Sequence, residues 1–363
     1  MRPVLKTALR RLWRDHTTLQ FGVRPERAVL LRGVGDRAAR LIAAIDGTRD
    51  VDALRATAAG LGLDAAFADR LLALLVDARI VDDAATSPVA LARLSVAERD
   101  RLAPDLASIS LLSATADGGL ATLAARRRTR VGVVGAGRVG ASAAALLAAA
   151  GVGHVVVDDD GVCAPADCAP GGASVGDVGA SRSAVGRAVV QRASGSTQPR
   201  PFEPTDRPDL VILAPRAGVA GPRLGDQLLR DGVPHLLAGV NETTAVVGPL
   251  VVPGESACLR CLDLRRTDRD PAWPLIAAQL AAQPSRAPTT ACDVALASLA
   301  ASVTALQALS WIDAAGSPPL PATFDGTLEV TLPDWRIRRR AWSRHPACGC
   351  HWSQRSAGGG AAG

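Results

Sequence analysis

The sequence predicts an α/β protein: a winged-helix-like module followed by a Rossmann-like domain with a cysteine-bearing C-terminal segment. Three observations predict it. Two strand patterns and three amphipathic helix patterns fall within residues 17–78. A strand at Val131–Val134 runs directly into Gly135-Ala136-Gly137-Arg138-Val139-Gly140, a glycine loop that opens a helix. Two short cysteine pairs, Cys258-x-x-Cys261 and Cys348-Gly349-Cys350, flank a long apolar helix pattern. With 48% hydrophobic and 21% charged residues among 363, the chain can fill two or three cores, so disorder throughout is excluded.

The first module spans residues 1–90. Thr17–Val23 and Arg27–Arg32 read as strands joined at Arg24-Pro25-Glu26. Asp36–Ile45 places Ala38, Leu41, Ile42 and Ile45 on one stripe and stops at Gly47. Asp50 and Asp64 are N-cap candidates for helices over 51–59 and 65–78, with Gly60-Leu61-Gly62 as the turn between them. Residues 91–128 form a connector, and Pro88 just before it and Pro104 within it are expected to break helical pieces.

From 129 to 352 strands and helices alternate. Val131–Val134, Arg138–Ala150 and His154–Val157 make one β-α-β unit. Leu210–Leu213 and His235–Ala238 are further strands, Asp293–Ala314 is a helix, and Gly171–Gly186 is expected to be a loop, mobile or strained open. Alternation over Thr327–Leu332 predicts a hairpin with Trp335–Arg340. The Gly/Ala/Ser tail, 353–363, is expected to be disordered.

Composition excludes several chemistries. Forty of the 41 basic residues are arginine, and the single lysine is Lys6. A P-loop and Schiff-base catalysis, both of which need a lysine, are set aside. Five histidines give serine-hydrolase chemistry little support, and the net charge of +6 carries little weight. Residues 1–16 lack the apolar core of a signal peptide, and Val294–Ile312 carries Ser298, Ser302, Thr304, Gln307 and Ser310. The reading is a cytoplasmic protein with no membrane span. Seven cysteines, an odd number, argue against a disulfide framework.

In the glycine loop, Gly135 and Gly137 allow a tight turn and bring backbone N–H groups toward a phosphate, while Gly140 permits close helix–strand packing. Asp158 ends the next strand, where a ribose hydroxyl would be held. The glycines also have a purely structural reading as packing residues. Cys258, Cys261, Cys348 and Cys350 supply four thiolates for a structural zinc, with His345 or His351 as a replacement ligand. Cys163, Cys168 and Cys292 read as buried thiols.

The run Ala150-Gly151-Val152-Gly153 through Asp158-Asp159-Asp160-Gly161-Val162 resembles the ThiF-type, ubiquitin-activating-enzyme-like adenylyltransferases. Gly248-Pro249-Leu250-Val251-Val252-Pro253-Gly254, followed by Cys258 and Cys261, adds to that resemblance over about residues 118–351. It implies a nucleotide site at Gly135, Gly137, Gly140, Asp158, Asp160 and Arg182, vestigial or weak, and a homodimer. Where the family has Ser-Asn-Leu-x-Arg-Gln, this chain has Pro165-Ala166-Asp167-Cys168-Ala169-Pro170; Arg182 stands for a lysine, and Arg216 for a magnesium-holding aspartate. ATP and magnesium binding are therefore doubtful on this reading, and no catalytic residue is assigned.

The first module resembles a PqqD-like precursor-peptide recognition element, in which a leader peptide adds a strand to the wing and rests on the last helix. Its implied contacts are Val29, Leu30 and Leu31 on the strand and Phe67, Arg70, Leu71 and Leu74 on the helix, though Leu71 and Leu74 also read as core. Asp64, Asp69 and Asp77 make that helix a poor reader of nucleic acid. The two resemblances together imply the leader-binding component of an azole-forming cyclodehydratase in bacteriocin-like peptide biosynthesis, with a YcaO-type enzyme as partner. The alternative is an active adenylyltransferase acting on a sulfur-carrier or peptide C-terminus, using Asp158, Asp160 and Arg182. A winged-helix regulator with a ligand-sensing Rossmann domain ranks third.

Overall fold

The computed structural model describes residues 1–86, 89–92, 94–203, 205–215, 222–282 and 291–350. Its contacts divide the chain into two compact units, Met1–Ala124 and Ala125–Gly363. Pro88, Arg216, His351 and the tail 353–363 lie outside the described residues.

The first unit runs β1 (Pro3–Leu5), β2 (Arg11–Trp13), β3 (Leu19–Phe21), β4 (Val29–Leu31), α1 (Asp36–Ala43), α2 (Val51–Gly60), α3 (Ala65–Asp77), β5 (Val81–Asp83), α4 (Val89–Ala92) and α5 (Val96–Leu112). Strand β1 pairs antiparallel with β5, and β2, β3 and β4 form a separate antiparallel sheet in that order. The carboxylates of Asp50 and Asp64 accept the N–H groups of Ala53 and Phe67, so both expected caps start their helices. Phe21, Leu41, Ile42 and Leu75 fill the core between the three-stranded sheet and the helices.

Pro104 does not break a helix. It lies inside α5, exposed, with buried Leu102 and Ile109 on either side, so packing of both halves outweighs the one backbone bond that proline removes. Helix α5 is tied to β1 and β5 by buried polar contacts. The Lys6 ammonium donates to the Ser110 carbonyl and lies 3.6 Å from Asp82, whose other oxygen accepts from the Ser110 hydroxyl at 2.6 Å.

Helix α6 (Leu120–Arg128) leads to β6 (Arg130–Val134), α7 (Arg138–Ala149), β7 (His154–Asp158), α8 (Arg182–Ala193), β8 (Leu210–Leu213), α9 (Pro222–Arg230), β9 (His235–Asn241) and β10 (Thr244–Val251). Then come α10 (Leu259–Arg269), α11 (Trp273–Ala282), α12 (Val294–Ala314), β11 (Gly326–Thr331) and β12 (Ile337–Ala341). One seven-stranded sheet, in the order β12-β11-β10-β9-β8-β6-β7, is parallel from β7 to β9 and antiparallel beyond. This is a Rossmann-like arrangement. The small residues of α12, among them Ala297, Ala300, Ala301, Ala305 and Ala308, bring it down onto α7, β9 and β10. By length and composition α12 meets the requirement for a membrane span, yet one whole face is packed in this core.

Gly171–Gly186 is not the loop its composition suggested. It contains a 3-10 turn at Val175–Asp177 and the first residues of α8, capped by Ser181. A β-carbon on Gly186 would lie 2.5 Å from that of Val157, so Gly186 serves close packing of α8 on β7.

Candidate functional site

The glycine loop connects β6 to α7, as its pattern required. Gly135 has φ +104°, and a β-carbon there would meet the Ala214 carbonyl oxygen at 2.1 Å. A β-carbon on Gly140 would meet the Gly135 carbonyl oxygen at 1.9 Å, and Gly137 is the N-cap of α7. Packing alone therefore accounts for Gly135 and Gly140. Asp158 and Asp160 are exposed beside the loop.

Between those two, Asp159 was not singled out by sequence. One of its oxygens accepts the Ala136 N–H at 2.8 Å, and the other accepts the Gly161 N–H at 2.8 Å. Arg182 is buried, 3.5 Å from Asp159 and held by two hydrogen bonds, 2.7 and 3.0 Å, to Asp167. Arg182 therefore joins β7, the following loop and α8 through paired charge. The adjacent Arg138 donates to the carbonyls of Ala166 and Cys292. Within the same loop, Gly172-Ala173-Ser174-Val175-Gly176 spells Gly-x-Ser-x-Gly. It sits on the 3-10 turn, where the Ser174 hydroxyl donates to Asp177 at 2.7 Å, rather than on a strand-to-helix elbow.

The four cysteines of the expected metal site converge. Their sulfurs all lie within 4.8 Å of one another, with Cys258 to Cys348 at 3.4 Å, Cys261 to Cys350 at 3.5 Å and Cys258 to Cys261 at 3.7 Å. Zinc–sulfur bonds of about 2.3 Å in a tetrahedron give edges of roughly 3.8 Å, so the set can hold a metal ion. Cys258 is the N-cap of α10, which brings Cys261 onto the same side one turn later, and Gly349, at φ +73°, turns the second pair back toward the first. All four residues are buried, and Val251, Ala257, Leu262 and Trp342 close around them.

Without a cation the cluster concentrates its charge on one sulfur. The hydrogen bond from Cys258 and the His345 N–H, 3.3 Å away, hold the Cys261 thiol down at about 4. The same sulfur–sulfur bond raises Cys258, and burial pushes Cys350 up to about 12. Four ionised thiols in this space need a metal's positive charge. His345 is not a fifth candidate ligand, because Nε2 faces Asp268 at 3.1 Å and Nδ1 accepts the Ala347 N–H. Outside the cluster, burial raises the thiols of Cys163 and Cys292, which keeps them protonated and poor nucleophiles.

A cavity of about 470 Å³ opens beside the cysteines, walled in part by Asp226, Arg230 and Arg260, and an adjoining one of about 270 Å³ is lined by His235. His235 is buried with Nδ1 3.0 Å from the Val233 carbonyl, so Nδ1 carries the proton and burial lowers the ring's pKa.

In the first unit, β4 is an edge strand, paired among the described residues only with β3. Val29 and Leu31 lean on the core, while Leu30 is 38% exposed. On α3, Leu71 is a core residue, Phe67 is half-buried, Arg70 is exposed and Leu74 is 58% exposed. The structure thus assigns Leu71 to packing and leaves Leu74 exposed.

A search of curated proteins returns no match. Among solved structures, E. coli MccB with ATP shares 14% identity at a TM-score of 0.69, covering 96% of this chain and 99% of that one. The microcin C7 biosynthetic enzyme MccB in complex with N-formylated MccA shares 15% at a TM-score of 0.66, covering 96% and 99%. PaaA shares 16% at 0.67, covering 93% and 99%. These likenesses establish a common fold over nearly the whole chain, and relatives with ATP bound give no support to the expectation of a lost nucleotide site. The ThiF family model matches residues 110–350, which include the glycine loop, the aspartate run and all four clustered cysteines; the chain belongs to the ThiF family.

Proposed function

We propose that this chain binds the leader of a ribosomally made precursor peptide and presents it to a YcaO-type cyclodehydratase for azoline formation, azoles following only on two-electron oxidation by a separate flavin-type dehydrogenase. The observation that carries this reading is the free edge of β4, flanked by exposed Leu30 and sharing a core with the helix that exposes Leu74. An extended peptide added there gains main-chain hydrogen bonds from the strand and apolar contacts from α3. The fold shared with a MccB that was solved with its peptide MccA supports the same reading. The first unit then acts as a winged-helix-like recognition module. Zinc at Cys258, Cys261, Cys348 and Cys350 ties the C-terminal segment to the start of α10.

The test reconstitutes the chain with a YcaO-type enzyme, ATP and a precursor peptide bearing Cys, Ser and Thr residues, and follows the loss of one water mass per azoline ring. Rings should form only when all three are present. Leu74→Asp should weaken leader binding about tenfold by fluorescence anisotropy. Ring formation at full rate without this chain would overturn the proposal.

A second reading, an active adenylyltransferase, is favoured by the glycine loop opening α7 and by the fold shared with ATP-bound MccB. Magnesium-dependent ATP–pyrophosphate exchange with a peptide carboxylate would establish it.

A further inference from the structure

The charge of the first unit is unevenly placed. Residues 10–32, which build β2, β3 and β4, carry Arg10, Arg11, Arg14, Arg24, Arg27 and Arg32 against only Asp15 and Glu26. That excess of four supplies most of the chain's net +6. All six arginines are exposed. Among the described residues the one ion pair these arginines make, Arg24 with Glu26, is long at 4.0 Å and exposed. Arg27 and Arg32 bracket β4, which with β2 is one of the two edge strands of this sheet.

Helices α2 and α3, on the same core, have the opposite sign: Asp50, Asp52, Asp64, Asp69 and Asp77 against Arg55 and Arg70. Arg55 is already bound to Asp52 and Asp69. A polyanion such as duplex nucleic acid would be attracted by the sheet and repelled by the helix that should enter its groove. A short strand-forming peptide can hold its carboxylates against the basic strand while turning only apolar residues toward α3.

Resting on the leader-binding reading, we infer that the β4 edge selects an acidic peptide, one whose carboxylates meet Arg27 and Arg32 while its apolar residues meet Leu30 and Leu74. Exposed guanidiniums flanking a strand edge favour carboxylates by charge and by bidentate geometry, and they disfavour a basic segment adding to the same edge.

The experiment selects a phage-displayed library of random 15-residue peptides on the full-length chain. The measured quantities are the net charge of the enriched peptides and the affinity of the best binder. The enriched set should carry about three negative charges, and its best member should lose about tenfold affinity on Arg27→Glu/Arg32→Glu. Arg27→Lys/Arg32→Lys should recover part of that loss, and added salt should weaken binding. Enrichment of neutral or basic peptides that depend on Leu74 but not on Arg27 and Arg32 overturns this inference and leaves leader binding intact. No enrichment that depends on Leu74 overturns both. Tighter binding of a 20-base-pair DNA duplex than of any peptide, abolished by the same charge reversal, assigns the arginines to nucleic acid and overturns the inference.

Discussion

The glycine loop and the cysteine cluster are the two motif-bearing regions of the ThiF domain, and they satisfy their polar groups in opposite ways. At the loop, charge is balanced internally: Asp159 takes the Ala136 N–H, and Arg182 lies between Asp159 and Asp167. At the cluster, the four sulfurs face one another, with the His345 N–H as a further donor. The first region holds its shape with the residues it has. The second can hold a metal ion, so a bound metal should control one region and leave the other largely unmoved.

The largest expected effect comes from removing that cation. Structural zinc contributes on the order of 10 kcal/mol of binding free energy. Chelation, or Cys261→Ser, should release one equivalent of zinc in a colorimetric assay and lower Tm more than any other single change. Hydrogen exchange should then rise around 258–262 and 342–350 and stay low in β6 and α7. Equal loss of protection in both regions would erase the contrast.

Next is Arg182→Ala, which leaves the carboxylates of Asp159 and Asp167 with their backbone N–H partners but without the cation between them. Breaking a buried pair in this way costs about 3–5 kcal/mol, measurable by urea denaturation, with the zinc content unchanged. A cost below about 1 kcal/mol would mean that Asp159 and Asp167 are relieved by water, and that the loop is less self-contained than its geometry indicates.

A smaller effect concerns His235 beside the cluster. Its folded pKa lies below 6.5 because burial penalises the charged ring. The unfolded chain therefore binds the proton more readily, and the contribution to stability is full above 6.5 and is lost as pH falls toward the folded value. The slope should approach about 1.4 kcal/mol per pH unit in that window, and His235→Gln should flatten it. The smallest effect is expected for Ser181→Ala, which removes the N-cap of α8 and costs about 1 kcal/mol; denaturation midpoints check it.

Patterns that act over a few residues were legible in the sequence. Asp50 and Asp64 stand at their helix starts, the strand into Gly135 is present, and Leu328 pairs across from Arg339 in the expected hairpin. The cysteine spacing likewise announced the cluster, because two short pairs of soft ligands have few other uses. Long-range neighbours were not legible. Gly186 looked like loop composition because nothing local says that Val157 lies against it. Pro104 looked like a breaker because the packing on both sides of it is tertiary.

The sequence by itself determined the family, the β-α-β unit around the glycine loop, the three helices of the first module and the pairing of the four cysteines, since each is written in spacing and local propensity. Only the tertiary structure decided that Leu71 is core while Leu74 is free, and that His345 turns to Asp268 instead of the cysteines. It also decided that Arg182 is held by carboxylates from two other segments. The physical reason is the same in each case: a side chain's partners are set by which distant segments the folded core brings within a few ångströms, and residue spacing along the chain does not encode that.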